Sequence, residues 1–291
     1  VQTRVRLDEG STEVQVPPAG TPPSSTRTTP RFELRTPVVN LGVRGTEFRT
    51  RLDGGRALAE VLQGQVVAGA LPLAAGALPL ASGQGTVATA AGVAPARPLL
   101  LAPDLTGVPT LVERLPLQFA LGRAEATPGA AAFRAQVVEP GQPPRLVLEG
   151  RFDRPLASWP DSLPDGRYEL RVRAADAEGV EGRGAQVAFT LKARPEPPFP
   201  LRPRAGERLT DEQVAFAWAR NPQAARYRLQ VAPAPDFAAP LVDRDDLTAT
   251  EAVLALPPGT HHWRVRSVRA DGDLGPWGDA QVFERALPPP P

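Results

Sequence analysis

The stretch that decides the fold is residues 168–174, YELRVRA, which recurs as residues 261–267, HHWRVRS. Inward and outward side chains alternate with a period of two in both copies, which is typical of a β-strand buried on one face. We expect the inward set to be Tyr168, Leu170, Val172 and Ala174 in the first copy, and His261, Trp263, Val265 and Ser267 in the second. Each copy is therefore predicted to contribute one half-buried strand to a sheet.

Two further strands precede this one in each copy, so that the repeat is about ninety residues long. These leading strands are residues 118–121 and 133–137 in the first copy, and residues 215–218 and 227–231 in the second. Short strands separated by Gly and Pro turns are typical of an all-β sandwich. The repeats resemble fibronectin type III or related immunoglobulin-like domains, which predicts tandem sandwiches at 108–192 and 201–287.

The first hundred residues form a third predicted module, also built of strands. Residues 1–7 and 12–16 alternate around a turn at residues 8–10 and predict a hairpin. Residues 17–30 are rich in Pro, Ser and Thr and predict a long loop. Later strands are expected at residues 31–35, 46–52 and 57–62, and near Leu78 and Val87.

One string in this module carries a family resemblance. It consists of Val43, Arg44, Gly45, Thr46, Glu47 and Phe48, and it lies between residues 31–37 and a Leu-x-Gly-x-Val turn at residues 62–66. The combination resembles the core of a FecR domain over residues 1–100. The resemblance implies a small all-β domain on the periplasmic or outer side of a bacterial membrane. We expect Gly45 to supply a backbone geometry and Arg44 to pair with an acid such as Glu47 or Glu60.

The resemblance also implies two functional settings. The best-known FecR proteins relay an outer-membrane transport signal to a sigma factor. FecR domains followed by fibronectin-like sandwiches form a class of envelope proteins that often carry a LysM peptidoglycan-binding module. Pro-rich linkers at residues 94–109 and 193–200 predict semi-rigid spacers and an elongated molecule.

Composition limits the partners. Lys and Arg total 33 and Asp and Glu total 32, so no overall field favours nucleic acid. The absence of cysteine excludes disulfides, thiolate metal sites and cysteine nucleophiles. No apolar stretch is long enough to cross a bilayer. Because the chain lacks Met and starts at Val1, we expect a removed signal peptide and an extracytoplasmic location, in the periplasm or at the cell surface.

The residue types that usually carry catalysis are not arranged for it. His261 and His262 are adjacent on a predicted strand, so their side chains leave on opposite faces and cannot chelate one ion. The acids Asp243, Asp245 and Asp246 are expected in a solvated turn, because their spacing matches no calcium loop. No Gly-x-Ser-x-Gly elbow is present. The sequence therefore predicts a protein that is not an enzyme and that has no cofactor and no metal.

The candidate binding surface is a ladder of arginines on the second sandwich. Its members are Arg226, Arg228, Arg264 and Arg266 on two neighbouring strands, with Trp277 placed across them. Two interpretations stay open: a cation–π stack worth about 0.5–2 kcal/mol, similar to the Trp-Ser motif of cytokine receptors, or a platform for a sugar or an anion. The first copy has Gly184 where Trp277 falls, so the platform belongs to the second copy.

The leading functional prediction is a non-enzymatic interaction protein of the bacterial envelope or cell surface. It binds a glycan such as peptidoglycan, or a protein, through sandwich surfaces that vary over a rigid frame. One alternative is a periplasmic signal-relay domain of the FecR type. Another is a structural subunit that self-associates by strand addition at exposed sheet edges.

Overall fold

The computed structural model of the chain describes residues 3–16, 32–69, 77–122, 127–160 and 163–288. Every regular element in these residues is a β-strand. The all-β prediction is confirmed. The loop predicted at residues 17–30 lies outside the described residues.

In the residues that the structure describes, the N-terminal module is one nine-stranded sheet. Its strands are β1 (Thr3–Arg6), β2 (Ser11–Gln15), β3 (Phe32–Arg35), β4 (Asn40–Asp53), β5 (Arg56–Gly69), β6 (Leu78–Ala81), β7 (Gln84–Thr89), β8 (Gly92–Val93) and β9 (Arg97–Pro98). The order is β1-β3-β4-β5-β7-β8, with β2 paired to β4, β6 to β5, and β9 to β7. The long antiparallel hairpin β4–β5 lies at its centre, so both of its strands are hydrogen-bonded to neighbours on both edges.

The predicted hairpin between the first two strands is wrong. β1 runs parallel to β3, and β2 runs antiparallel to β4, with Val14 opposite Phe48. The turn before β2 is tied to β4 as well, because the Leu52 amide donates to the Gly10 carbonyl at 2.8 Å. Alternation fixes which face of a strand is apolar, but it does not say which strand lies beside it.

Residues 57–61 of β5 are buried on both faces of the strand. Ala57, Ala59 and Val61 point into the core of the N-terminal sheet, next to Phe48. The alternate residues point to the other face. There the fully buried Leu58 packs against Val87, Leu99 and Val180. Since Val180 immediately precedes a strand of the first sandwich, this second face joins the N-terminal sheet to that sandwich.

The described part of the first sandwich contains seven strands. They are β10 (Leu111–Val112), β11 (Leu117–Ala120), β12 (Ala132–Glu139), β13 (Arg145–Phe152), β14 (Leu156–Trp159), β15 (Gly166–Ala175) and β16 (Glu181–Leu191). One sheet has the order β10-β16-β15-β12-β13 and the other is the pair β11-β14. The ring of Phe119 contacts those of Trp159 and Phe189 edge to face, with centroids 6.4 Å and 4.9 Å away.

The second sandwich repeats this plan with eight strands. They are β17 (Pro200–Arg202), β18 (Glu207–Leu209), β19 (Gln213–Trp218), β20 (Arg226–Ala232), β21 (Val242–Leu247), β22 (Glu251–Ala255), β23 (Gly259–Val268) and β24 (Gln281–Arg285). Its sheets have the orders β17-β19-β22 and β18-β24-β23-β20-β21. The eight side chains predicted to point inward on β15 and β23 are all buried, so the periodicity located both strands and their faces correctly.

Contacts divide the chain into two compact units. Unit 1 comprises Val1–Thr110, Pro116–Asp161 and Tyr168–Phe189, which hold the N-terminal sheet and most of the first sandwich. Unit 2 comprises Leu111–Leu115, Ser162–Arg167 and Thr190–Pro291. The three-domain division at 1–100, 108–192 and 201–287 stays a prediction.

Candidate functional site

The predicted arginine ladder is formed by two adjacent strands of the second sandwich. On β20 and β23, Arg228 lies directly opposite Arg266, and Gln230 lies opposite Arg264. Arg226 is opposite Val268, at the end of the ladder. Because side chains on one face of a strand are two residues apart, the members of the ladder share the outer face of the sheet.

Trp277 lies across the ladder. The guanidinium carbons of Arg264 and Arg266 are 4.4 Å and 4.3 Å from the centre of its ring, and that of Arg228 is 5.9 Å away. Arg264 is also 4.0 Å from the ring centre of Phe237. These distances are those of cation–π contacts, so the ladder is held in place by its own aromatic neighbours.

One carboxylate from the edge strand bonds to the ladder. Asp243 accepts hydrogen bonds from Nε and Nη2 of Arg228, at 2.7 Å and 2.6 Å, and from Gln230 at 2.9 Å. The bonds from Arg228 lower the pKa of Asp243 to about 2. Asp243, Asp245 and Asp246 do not lie in the predicted turn but on β21. The prediction failed because an edge strand tolerates charged side chains on both faces, which removes the alternation.

The other two arginines lack such a carboxylate partner. Arg264 donates from Nε and Nη2 to the neutral amide oxygen of Gln230, at 2.9 Å and 2.7 Å. The Nε of Arg266 is buried and has no hydrogen-bond partner within the described part of the chain. Burial lowers the pKa of Arg264 and Arg266, and the charge of Arg228 acts in the same direction. The ladder therefore has a surplus of positive charge.

The first sandwich carries the same polar network at equivalent positions. Arg134 lies opposite Arg173, and Gln136 lies opposite Arg171, as in the second sandwich. The carboxylate of Glu149 accepts from Arg134 Nε at 2.5 Å and from Gln136 at 2.9 Å, in the manner of Asp243. A Cβ atom at Gly184 would lie 3.6 Å from Arg173 Cγ, so this position borders the ladder as Trp277 does.

In unit 1 this network is covered by the N-terminal sheet. Arg173 donates to Glu13 of β2 at 2.7 Å. Arg134 donates at 3.2 Å to Glu181, a buried carboxylate that also lies 3.6 Å from Arg173. Burial opposes the charge on Glu181, but attraction to Arg134, Arg49 and Arg173 prevails and lowers its pKa. In unit 1, Glu13 and Glu181 supply additional negative charge to the arginines. Among the described residues, the arginine ladder of the second sandwich bonds to no carboxylate other than Asp243.

The string of residues 43–48 lies on β4 and contributes side chains to the hydrophobic core. Val43 and Phe48 belong to the main cluster of the N-terminal sheet, and Thr46 is buried and donates from Oγ1 to the carbonyl of Gln65 at 2.9 Å. Glu47 is half-buried. The side-chain expectations for Arg44 and Gly45 lie outside the described residues.

Residues 1–67 match a protein-family model described as FecR protein. These residues form a FecR domain. The match confirms the family expected from the string at 43–48, and it indicates an envelope context.

The crystal structure of the FN1-FN3 domains of chicken CNTN1 aligns with 81% of this chain and 97% of its own, at 12% identity and a TM-score of 0.28. No curated protein matches the sequence. The sandwich character of the repeats follows from the sheets themselves. Each repeat has two sheets, and β15 and β23 alternate buried and half-buried side chains.

Neither histidine takes part in the ladder or in a metal site of the described residues. The buried ring of His261 lies beside Phe283 and donates from Nε2 to the carbonyl of Pro257 at 2.8 Å. His262 is half-buried on the opposite face, as its position in the strand predicts. No cluster of three potential metal-binding side chains occurs in the described ranges. Nor do those ranges contain a helix with the length and hydrophobicity of a membrane span.

The contact between the FecR domain and the first sandwich was not predicted from the sequence. The available signal was residues 57–62, ALAEVL, where a strand of this sheet has apolar or buried side chains at successive positions instead of alternating ones. Continuous burial indicates a strand covered on both faces. A carboxylate within it, Glu60, then requires a polar partner from the covering side.

Proposed function

We propose that this protein is a non-enzymatic interaction protein of the bacterial envelope, acting outside the cytoplasm. Its second sandwich binds an anionic partner through Arg228, Arg264, Arg266 and Trp277. The leading candidate is a peptidoglycan-like glycan, and the second candidate is a protein. One observation supports this above the others: the arginines outnumber the carboxylate bonded to them, and the Nε of Arg266 is buried without a partner in the described residues.

Carboxylate-bearing glycans fit this surface chemically. A guanidinium group matches a carboxylate in shape and can donate two parallel hydrogen bonds to it. The aromatic ring of Trp277 and the ring of Phe237 hold the guanidinium groups in a fixed plane, so little side-chain entropy is lost on binding. The envelope context of the FecR domain makes a cell-wall polymer the leading candidate.

A protein partner is the second candidate, and one observation favours it. The same network on the first sandwich is covered by polypeptide, which supplies the carboxylate of Glu13. A partner with an acidic strand could cover the second ladder in the same way. Self-association is a special case of this candidate. The edge strand β22 carries Val253, which is 63% exposed, and an exposed edge strand can pair with a strand of another copy.

The test is retention on purified peptidoglycan sacculi at low and physiological salt. We expect wild-type protein to be retained and Arg266→Ala to bind about 10-fold to 100-fold more weakly, since a charge-assisted hydrogen bond contributes about 1.5–3 kcal/mol. Trp277→Ala should weaken binding too, because it releases the arginines from their stack.

The matched control is Arg244→Ala. Arg244 is an exposed arginine on the adjacent strand β21 that bonds to Asp246, outside the ladder. Retention of this variant should equal that of wild type, and circular dichroism should show that all variants are folded. Equal retention of Arg266→Ala and wild type would contradict the proposed site, and no retention of any form would favour the protein partner.

A further inference from the structure

A second polar site lies within unit 1, between the FecR domain and the first sandwich. It is a cavity of about 160 Å³ lined mainly by charged side chains. Its arginines are Arg49, Arg51, Arg134, Arg171 and Arg173. Its carboxylates are Glu13, Glu60 and Glu181. Arg134 and Arg171 also bond to Glu149 and Glu169, each at 2.5 Å, so the cluster is neutral when Glu60 is ionised and carries one surplus positive charge when Glu60 is protonated.

Several ion pairs across this cavity are too long to be hydrogen bonds. Arg49 Nε is 4.0 Å from Glu60 Oε2, and Arg49 Nη1 is 4.0 Å from Glu181 Oε2. Arg51 Nε is 3.9 Å from Glu181 Oε1. A charge-assisted N–H···O bond is about 2.7–2.9 Å long, so each of these pairs leaves a gap.

The arginine atoms at these gaps are buried. Arg49 is 5% exposed, and the Nε atoms of Arg49 and Arg51 have no hydrogen-bond partner in the described residues. The other ends of both side chains are anchored: Nη2 of Arg49 donates to the Gly182 carbonyl at 2.6 Å, and Nη2 of Arg51 donates to Gly179 at 2.7 Å. Buried donors in native proteins almost always have an acceptor. An oxygen-bearing molecule in the cavity would supply it.

Charge and volume decide between water and an anion. A water molecule takes about 30 Å³ in the liquid, so the cavity has room for more than one small molecule. Water would satisfy the free N–H groups but not the surplus positive charge present when Glu60 is protonated, whereas an oxyanion satisfies both. We propose that this cavity binds a small oxyanion, a phosphate, sulfate or carboxylate group, between Arg49 and Arg51.

The binding is expected to depend on pH through Glu60. Burial raises the pKa of Glu60 to about 7, and its carboxylate accepts a hydrogen bond from the Glu181 amide at 3.0 Å. An anion placed beside Glu60 favours its protonated form, so binding takes up a proton and becomes tighter as the pH falls. The charged groups that line the cavity with Glu60 are Arg49 and Arg51 on β4, Glu13 on β2, Arg134 on β12, Arg171 and Arg173 on β15, and Glu181 on β16.

This site is independent of the ladder on the second sandwich. An anion there contacts side chains of the FecR domain and of the first sandwich together. It would stabilise unit 1 by an amount that grows with the logarithm of its concentration. The ligand would therefore control how firmly the FecR domain is held.

The experiment is a calorimetric and thermal-unfolding titration of the full chain with sodium sulfate, in a chloride buffer of constant ionic strength. Sulfate keeps the same charge between pH 6 and pH 8, so a change in affinity reports on the protein. We expect saturable binding, tighter at pH 6 than at pH 8 by several-fold to tenfold. Inorganic phosphate and acetate, titrated in parallel, distinguish a tetrahedral anion from a carboxylate.

Two variants and one control decide the result. Arg51→Gln should weaken sulfate binding about tenfold, and Glu60→Gln should bind sulfate with no difference between pH 6 and pH 8. Arg244→Gln, which removes an exposed arginine that bonds to Asp246 on β21, should bind sulfate like wild type. Non-saturating heats, or equal affinities of wild type and Arg51→Gln, would mean that the cavity holds water only. If Arg51→Gln is unfolded, the pH dependence of wild type against Glu60→Gln decides alone.

Discussion

At the scale of the residue, the buried carboxylates of unit 1 act in opposite directions on stability. Glu181 accepts from Arg134 and lies within 4.0 Å of Arg49 and Arg173, and these arginines keep it ionised against the cost of burial. Glu60 is 2% exposed and has one arginine side chain at 4.0 Å, which is too far to offset burial, so its pKa rises to about 7. One carboxylate therefore stabilises the fold as an anion and the other as an acid.

The Glu60 carboxylate predicts a specific pH dependence. Its pKa is 4.5 in the unfolded chain and about 7 in the fold, so the folded state binds the extra proton between these values. The contribution of Glu60 to the free energy of unfolding is therefore largest below pH 4.5, and this contribution is lost as the pH rises through 7. From pH 5 to pH 8 we expect wild type to lose on the order of 2 kcal/mol relative to Glu60→Gln.

The measurement is urea unfolding of both proteins at several pH values in chloride buffer. The lowered pKa of Glu181 contributes below about pH 4.5, outside this window, and it is present in both proteins. Parallel stability curves for wild type and Glu60→Gln between pH 5 and pH 8 would show that Glu60 is ionised throughout.

At the scale of the element, β16 approaches the main chain near Leu100 because it has glycine at one position. A Cβ atom at Gly182 would lie 2.5 Å from the Leu100 carbonyl oxygen and 2.7 Å from Leu100 Cβ. The same carbonyl accepts a hydrogen bond from the Arg183 amide at 2.9 Å, so the strand is fixed there. Gly182→Ala should destabilise unit 1 by about 1–3 kcal/mol, through a shift of backbone in a packed interior.

The matched substitution is Gly184→Ala on the same strand. Its new methyl group would meet Arg173 Cγ at 3.6 Å, an ordinary contact, so the change should stay within about 0.5 kcal/mol of wild type. Chemical unfolding of the two variants tests the difference. Similar stabilities would mean that Leu100 yields to the added methyl group.

The elements also show what the sequence could and could not specify. Alternation located β15 and β23 and their buried faces, because each strand packs on one core. It did not identify the partners of β1 and β2, because alternation contains no information about register with distant strands. The resemblance to a known sandwich identified which strands are neighbours, and this placed Arg264, Arg266 and Trp277 together.

The missed parts of the candidate sites are those made by distant carboxylates. Asp243 was assigned to a turn, Glu181 was not recognised as a partner of the arginines, and Glu60 was considered only as a partner of Arg44, whereas it lies opposite Arg49. Glu60 and Glu181 are separated by 121 residues along the chain. No local pattern relates such positions, so only the fold shows that they meet.

At the scale of the molecule, one polar network is used twice. The arrangement of one arginine–arginine pair, one arginine–glutamine pair and an edge-strand carboxylate occurs on both sandwiches. In unit 1 it is buried under the FecR domain, with Glu181 and Glu13 as additional acceptors. In unit 2 an aromatic stack takes the place of that cover. The duplicated network thus has a structural role in one unit and a proposed binding role in the other.

We expect the FecR domain and the first sandwich to unfold together as one cooperative unit. Leu58 is fully buried and packs against Val87 of its own sheet and Val180 beside β16. Leu58→Ala should cost about 2–5 kcal/mol, because it leaves a cavity between the two parts. Hydrogen exchange should then lose protection equally in β4–β5 and in β15–β16. Leu229→Ala, a fully buried position of the second sandwich, is the control and should act on β20 and β23. Loss of protection confined to the FecR sheet would instead mean that residues 1–100 and 108–192 fold as separate domains.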